Sequence, residues 1–294
     1  MCDEQTDKDI EQFLLDSGKL SRRDFCKMGS LALITAMLPS VAFAKSVKES
    51  SVEVSTPDVV SDCYFARPTR GKHPGVIIWP DIKGLRPAYQ AIGKRLAEAG
   101  YSVLVVNPYY REAKAPVVGP EASFNDPETM KFLRSMAWKI SQEDNTSDAK
   151  AYVNFLDEQA SVDANRKIGT LGYCWGGELV ILTAAAAPER IGAVASFHGS
   201  RSMVTDGPDS PHLLIPKLSA HALHAVAEND DQRSPETKEI IRAAYKAAGV
   251  PAEIEVYEGT LHGWCTPDSP AYYNEKQAEK AWSRLLHLFN GALS

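Results

Sequence analysis

The stretch Ile168-Gly169-Thr170-Leu171-Gly172-Tyr173-Cys174-Trp175-Gly176-Gly177 decides how the rest of this chain is read. Residues Lys167–Tyr173 have the character of a strand, and the small and apolar residues from Trp175 to Ala186 run on as a helix. A strand that turns into a helix so abruptly strains the residue at the corner, and its neighbours must lack side chains for the two elements to approach. Gly172, Gly176 and Gly177 meet that need and leave Cys174 at the corner. The pattern is the G-x-S-x-G nucleophile elbow with Cys in place of Ser. Alone it also fits a buried small thiol among packing glycines. Its position between strand and helix favours a nucleophile. A thiol at a helix N-terminus gains from the macrodipole and free N–H groups, which favour thiolate. The Trp175 N–H is expected to face the same pocket as an oxyanion donor.

Outward from the elbow, strand and helix patterns alternate. Strand-like stretches lie around Val52–Val54 and Val59–Phe65, and the turn-rich residues Pro68–Gly75 suit a hairpin connection. Val76-Ile77-Ile78-Trp79 is a short continuous apolar run, the mark of a strand covered on both faces. Tyr89, Ile92, Leu96 and Ala97 recur at helical spacing before Gly100, and Tyr101–Val106 reads as the next strand. Ala149–Leu156 is helical, Ile191–Phe197 and Leu223–Ala227 are strands, a helix through Ile241 and Tyr245 stops at Gly249, and Ala252–Tyr257 is a strand. A last helix carries Ala278, Ala281, Trp282, Leu285 and Phe289 on one face. Such alternation predicts one α/β domain, a mainly parallel sheet with helices on both faces. The long polar segment Arg111–Thr129 reads as an insertion that walls the active site.

A cysteine nucleophile needs a base, and the base an orienting acid. In an elbow-type enzyme the chain order is nucleophile, acid, histidine. Strand Leu223–Ala227 empties into Glu228-Asn229-Asp230-Asp231, and the next strand is followed by Gly259-Thr260-Leu261-His262-Gly263-Trp264. Both fall on the sheet edge where open α/β folds hold ligands. The order is therefore Cys174, then Asp230 or Asp231, then His262; spacing does not separate the two aspartates. His198 ends a strand near the same edge, where it lines the pocket or serves packing. His221 and His224 stand three apart but on a strand, which puts them on opposite faces and argues against a metal pair.

Composition narrows the functional classes. The 294 residues carry 32 Lys+Arg against 38 Asp+Glu, a net charge of −6, which offers no concentrated cationic surface for nucleic acid. Five cysteines without a C-x-x-C pair exclude a disulfide-built scaffold and a zinc knuckle. Near the start, Ser21-Arg22-Arg23-Asp24-Phe25-Cys26-Lys27 precedes an uncharged run from Met28 to Ala44 that ends Ala42-Phe43-Ala44. That run is shorter than the ~20 residues that span a bilayer, and it closes on an A-x-A site. The sequence predicts a cleavable twin-arginine-type signal over 1–44, use of the twin-arginine export machinery, no stable membrane insertion after cleavage, a periplasmic or otherwise exported product, and a catalytic domain over 45–294.

Gly172-Tyr173-Cys174-Trp175-Gly176-Gly177 together with Gly259-Thr260-Leu261-His262-Gly263-Trp264 resembles the dienelactone hydrolase family, the carboxymethylenebutenolidases, over essentially all of 45–294. The resemblance implies an α/β-hydrolase fold and a Cys-His-Asp triad that opens a lactone or small ester through an acyl-enzyme, with no metal or organic cofactor. Carried over, Cys174 is the nucleophile, His262 the base, and Asp230 the acid, with Asp231 as the alternative. The backbone N–H groups of Ile82 and Trp175 form the oxyanion hole. Asp81 stands where family members have a thiol-proximal Glu, and Arg111 is the expected first arginine of a substrate-carboxylate clamp. The second arginine's position holds Thr266. Asp81 and Thr266 also motivate the alternative of an exported binding protein that kept the fold and lost turnover.

Overall fold

A computed structural model describes residues 45–294, so the export signal expected at 1–44 lies outside the described residues. Eight strands form one sheet: β1 (Val47–Ser55), β2 (Val60–Pro68), β3 (Gly75–Trp79), β4 (Ser102–Val105), β5 (Ile168–Tyr173), β6 (Ile191–Phe197), β7 (His221–Ala227) and β8 (Ala252–Tyr257). Their spatial order is β1-β2-β4-β3-β5-β6-β7-β8. Strands β3 to β8 are parallel, whereas β1 pairs antiparallel with β2, and β2 antiparallel with β4. Among the described residues, besides one helical turn at Ser200–Met203 and a 3-10 helix at Pro211–Lys217, the helices are α1 (Pro87–Glu98), α2 (Pro127–Ala137), α3 (Gln142–Glu158), α4 (Gly176–Ala186), α5 (Glu228–Arg233), α6 (Pro235–Ala248) and α7 (Glu275–Ala292).

The central strands are buried on both faces because alternate residues feed two cores. Ile77 and Trp79 of β3 join the core under α3 and α4, while Val76 and Ile78 join the one under α1 and α7. Helix α4 is apolar almost all round, as a helix enclosed by its neighbours must be: Leu179, Val180, Ile181, Leu182 and Ala184 are all buried. Cys63 belongs to the first core and Cys265 packs against the second, on the other face of the sheet; Cys63 and Cys265 are free thiols.

Two sequence expectations change. The hairpin is the turn between β1 and β2, and Pro68–Gly75 is not one. Strand β4 occupies the place beside β2, so the 68–75 segment must carry the chain past it to β3. The Arg111–Thr129 insertion also ends inside a helix that its polar composition concealed. Asp126 caps α2, its carboxylate accepting from the Thr129 N–H at 3.1 Å, and Met130, Leu133 and Met136 bury the inner face.

The direction in which successive strands are added reverses between β3 and β5: β3 connects to β4 on one side, and β5 to β6 on the other. A doubly wound sheet opens its ligand crevice at such a switch point, outside the carboxyl ends of the two strands. The loop after β3 begins at Pro80, and the elbow follows β5.

His221 is exposed and His224 buried, so the two do face opposite sides of β7. His224 Nε2 lies 3.0 Å from the Tyr245 hydroxyl, and burial pushes its pKa from 6.5 down to about 4. An imidazole that is neutral when folded and basic when unfolded binds a proton only on unfolding. Stability is therefore full above pH 6.5 and falls as the pH drops toward 4, by about 3 kcal/mol in all. Urea titrations at pH 7 and pH 5 are expected to show about 2 kcal/mol of this loss. His224→Gln, which still offers Tyr245 a partner but does not titrate, is expected to flatten the slope.

Candidate active site

The elbow is as tight as its glycines imply. A Cβ on Gly172 would lie 2.0 Å from the Gly176 carbonyl oxygen, and one on Gly176 would lie 2.3 Å from the Pro80 oxygen. Neither position accepts a side chain without moving backbone. Cys174 takes the left-handed conformation, φ 52°, and its carbonyl accepts the Gly177 N–H at 2.9 Å to begin α4. Its side chain is buried, and its Sγ lies 3.0 Å from His262 Nε2.

Three consecutive residues at the start of α5 hold the loop that carries His262. The Glu228 carboxylate accepts the Gly259 N–H at 2.8 Å, and the Glu228 N–H donates to the Thr260 hydroxyl at 3.1 Å. The Asn229 side-chain oxygen accepts the His262 N–H at 2.8 Å. Asp230 Oδ2 lies 2.7 Å from His262 Nδ1, with the Asp230 side chain 1% exposed. The structure thus brings Cys174, His262 and Asp230 into one continuous chain of contacts. Asp231 turns the other way. Successive helical residues point about 100° apart, and Asp231 meets Lys238 of α6 with Nζ–O distances of 2.6 and 2.8 Å.

The two candidate oxyanion donors sit on the two loops that flank the switch point, Ile82 after β3 and Trp175 after β5. The Trp175 N–H stands at the start of α4, where the first amides of a helix have no intrahelical acceptor. The Ile82 N–H is aimed by its own peptide. The Asp81 carbonyl accepts the Gly84 N–H at 2.8 Å, and in a trans peptide the Ile82 N–H must point the opposite way. Tyr109 braces both residues: its hydroxyl donates to the Ile82 carbonyl at 2.7 Å, and its ring stacks on Trp175 with 5.7 Å between centroids and 2° between planes. Tyr109 was not singled out from sequence. The segment Asn107-Pro108-Tyr109-Tyr110 held the signal, because Asn107 opens the loop by accepting the Tyr109 N–H at 3.0 Å.

A family model for the dienelactone hydrolase family matches residues 61–293. The chain belongs to the dienelactone hydrolase family. It is 30% identical over 231 residues to a Salmonella typhi protein named "Putative carboxymethylenebutenolidase", covering 77% of this chain and 81% of that one. A Bradyrhizobium protein named "Probable 2-oxo-3-(5-oxofuran-2-ylidene)propanoate lactonase" is 25% identical over 239 residues, covering 80% of this chain and 91% of the relative. Among solved structures, a "Putative Dienelactone Hydrolase" from Klebsiella pneumoniae superposes with a TM-score of 0.73 at 25% identity, covering 84% of this chain and 99% of that one. The chain is therefore a hydrolase with the α/β-hydrolase fold of the dienelactone hydrolases, of the lactone and ester class.

Against that family pattern, two expected site residues are engaged elsewhere. Both Asp81 oxygens are held by the Arg86 guanidinium, at 2.6 and 2.8 Å, and Arg86 also grips Asp268 beyond His262, at 2.6 and 3.1 Å. Burial alone would raise the Asp81 pKa, but the Arg86 charge outweighs it and holds the carboxyl below its usual range. Asp81 is thus a carboxylate that holds Arg86, and Arg86 ties the β3 loop to the loop after His262. Arg111 is likewise taken. Nη1 and Nη2 each meet a different oxygen of buried Asp148 at 2.8 Å, and Nε meets Asp58 at 2.7 Å. Arg111, the expected substrate clamp, thus closes its planar fork on Asp148 and joins the β1–β2 turn, the Tyr110 loop and α3. Thr266 is buried.

Proposed function

We propose that the protein hydrolyses lactones or small carboxylic esters through a Cys174–His262–Asp230 triad and a thioester acyl-enzyme. One observation carries the reading: the unbroken contact from Asp230 Oδ2 to His262 Nδ1 at 2.7 Å and from His262 Nε2 to Cys174 Sγ at 3.0 Å. His262 Nε2 takes the thiol proton as Sγ attacks the carbonyl carbon, and the carbonyl oxygen gains the negative charge. The N–H groups of Ile82 and Trp175 stabilise that oxyanion. Collapse breaks the acyl C–O bond, and the imidazolium returns the proton to the departing oxygen. In a lactone the new hydroxyl stays tethered to the acyl group. His262 then deprotonates a water, which attacks the thioester and releases the carboxylic acid and the free thiol. Asp230 accepts from Nδ1–H throughout, which keeps Nε2 as the basic nitrogen and offsets the imidazolium charge.

The lactonase name of the Bradyrhizobium relative and the carboxymethylenebutenolidase name of the Salmonella typhi one favour a lactone as the physiological substrate. Brief exposure to an unsaturated lactone or to 4-nitrophenyl acetate, followed by acid quench and peptide mass mapping, is expected to find the acyl group on Cys174. Saturable binding without any adduct or product would replace this reading with that of a non-catalytic binding protein. We further propose export by the twin-arginine route, on the Ser21–Lys27 motif and the Ala42-Phe43-Ala44 end; the intact mass of the protein recovered from the periplasmic fraction tests cleavage after Ala44.

A further inference from the structure

Among the described residues, two that are not glycine have left-handed backbone: Cys174, φ 52°, and His198, φ 44°. Each such conformation costs on the order of 1–3 kcal/mol and persists only where the surroundings impose it. These two are bonded to one another. The Cys174 N–H donates to the Phe197 carbonyl at 3.0 Å and to His198 Nδ1 at 3.1 Å, and the His198 N–H is fixed on the Ala225 carbonyl at 2.8 Å. The strain of the elbow and the strain at the end of β6 thus meet at one shared amide hydrogen.

That contact also sets the proton on the His198 ring. An amide N–H aimed at Nδ1 leaves no room for a hydrogen there, so Nδ1 is the lone-pair nitrogen and a neutral ring carries its proton on Nε2. Neutrality follows from the surroundings: the residue is 1% exposed, and burial, then the neighbouring His262, outweigh the nearby Asp81 charge and hold its pKa well below the usual imidazole range. The His198 and His262 rings meet edge to face with centroids 4.9 Å apart. A second imidazole free to take a proton at that distance would oppose the cation that forms on His262 during attack.

The same geometry argues against the most obvious other use of this cluster. Cys174 Sγ and one nitrogen from each of His198 and His262 lie within 4.8 Å of one another, which resembles a three-ligand soft-metal site. A metal needs a lone pair from His198. The one on Nδ1 is occupied by the Cys174 amide, and Nε2 holds the proton.

We propose that His198 is a positioning residue for the nucleophile: locked as the neutral Nε2–H tautomer, it uses Nδ1 to hold the Cys174 amide and so fixes the elbow on which Sγ is presented. This deepens the triad reading and rests on it, because it supposes that Cys174 is the attacking group. Two of its tests do not depend on hydrolysis. Imidazole ¹⁵N spectra of the wild-type protein are expected to show His198 protonated at Nε2 and unchanged between pH 5.5 and 8. An Nδ1–H signal, or titration within that range, would overturn the proposal even if the enzyme turns lactones over.

The second test is the rate at which iodoacetamide alkylates Cys174 in two variants. His198→Asn keeps an acceptor close to the Nδ1 position and tolerates positive φ. His198→Phe keeps the ring and loses the acceptor. Asn is expected to retain the alkylation rate and kcat within about threefold, whereas Phe loses roughly tenfold or more of each with KM little changed. Circular dichroism and thermal melts run alongside identify a variant that has merely lost its fold; in that event the tautomer spectrum decides alone. Equal rates in folded Asn and Phe variants would reject the positioning role. Loss of hydrolysis in every form, with the tautomer and alkylation pattern intact, would count against the triad reading and leave His198 in its place.

Discussion

Cys174→Ala is expected to lose ~10⁴–10⁶-fold in kcat toward 4-nitrophenyl acetate and a lactone panel, leaving only the residual rate that the oxyanion donors and binding supply. The size follows from what is removed. In the proposed mechanism the thiol forms the covalent intermediate, and neither His262 nor Asp230 has a role without it. KM is expected to change little, because Sγ makes its strong interaction with the substrate only in the transition state. The substitution is conservative for the fold: it trades one small buried side chain for another and leaves the backbone contacts at Gly172 and Gly176 untouched. A melting temperature near that of the wild type would place the loss in chemistry. Activity retained in the folded variant would end the triad reading.

The second large effect separates two adjacent carboxylates. Asp230→Asn is expected to cost about 10⁴-fold in kcat, the loss seen when an amide lets the histidine adopt the wrong tautomer. With Nδ1 no longer held as a donor, Nε2 can carry the proton, and it then has no lone pair with which to accept one from Cys174 at 3.0 Å. Asp231→Asn is expected to leave kcat within about twofold and to cost at most about 1 kcal/mol of stability. It weakens only a partly exposed pair with Lys238, whose partners are 19% and 21% exposed. Parallel kinetics and urea titrations of the two variants check the contrast. Equal losses in both, or a larger loss for Asp231→Asn, would contradict the assignment of the acid.

Residues in the fold differ in how plainly their chain neighbours announce them. β3 and β5 were legible because a continuous apolar run admits few solutions besides a strand covered on both faces. The elbow was legible because only glycine fits at positions where backbone approaches within van der Waals contact. Helix α2 was not, since its buried residues are spaced among charges and its capping signal, Asp126-Pro127, sits inside a run that reads as loop. The connection at Pro68–Gly75 was misread because turn residues mark a change of direction without saying which strand comes next to which.

Within the site, residue type and chain order were enough to name Cys174, His262 and a pair of aspartates, because a thiol nucleophile needs a base and the base an acid in that order. That Asp230 meets His262 while Asp231 meets Lys238 follows from the rotation of α5 about its axis, which one residue of spacing does not convey. That Asp81 pairs with Arg86 and Arg111 with Asp148 was not legible either. An ion pair forms between groups distant in sequence, and nothing in either residue's neighbourhood along the chain records it. The sequence by itself determined the fold class and the kind of chemistry, since both are written in local pattern and side-chain type. Tertiary structure alone decided which charges face the thiol and which neutralise one another, because that depends on distances that exist only once the sheet has closed.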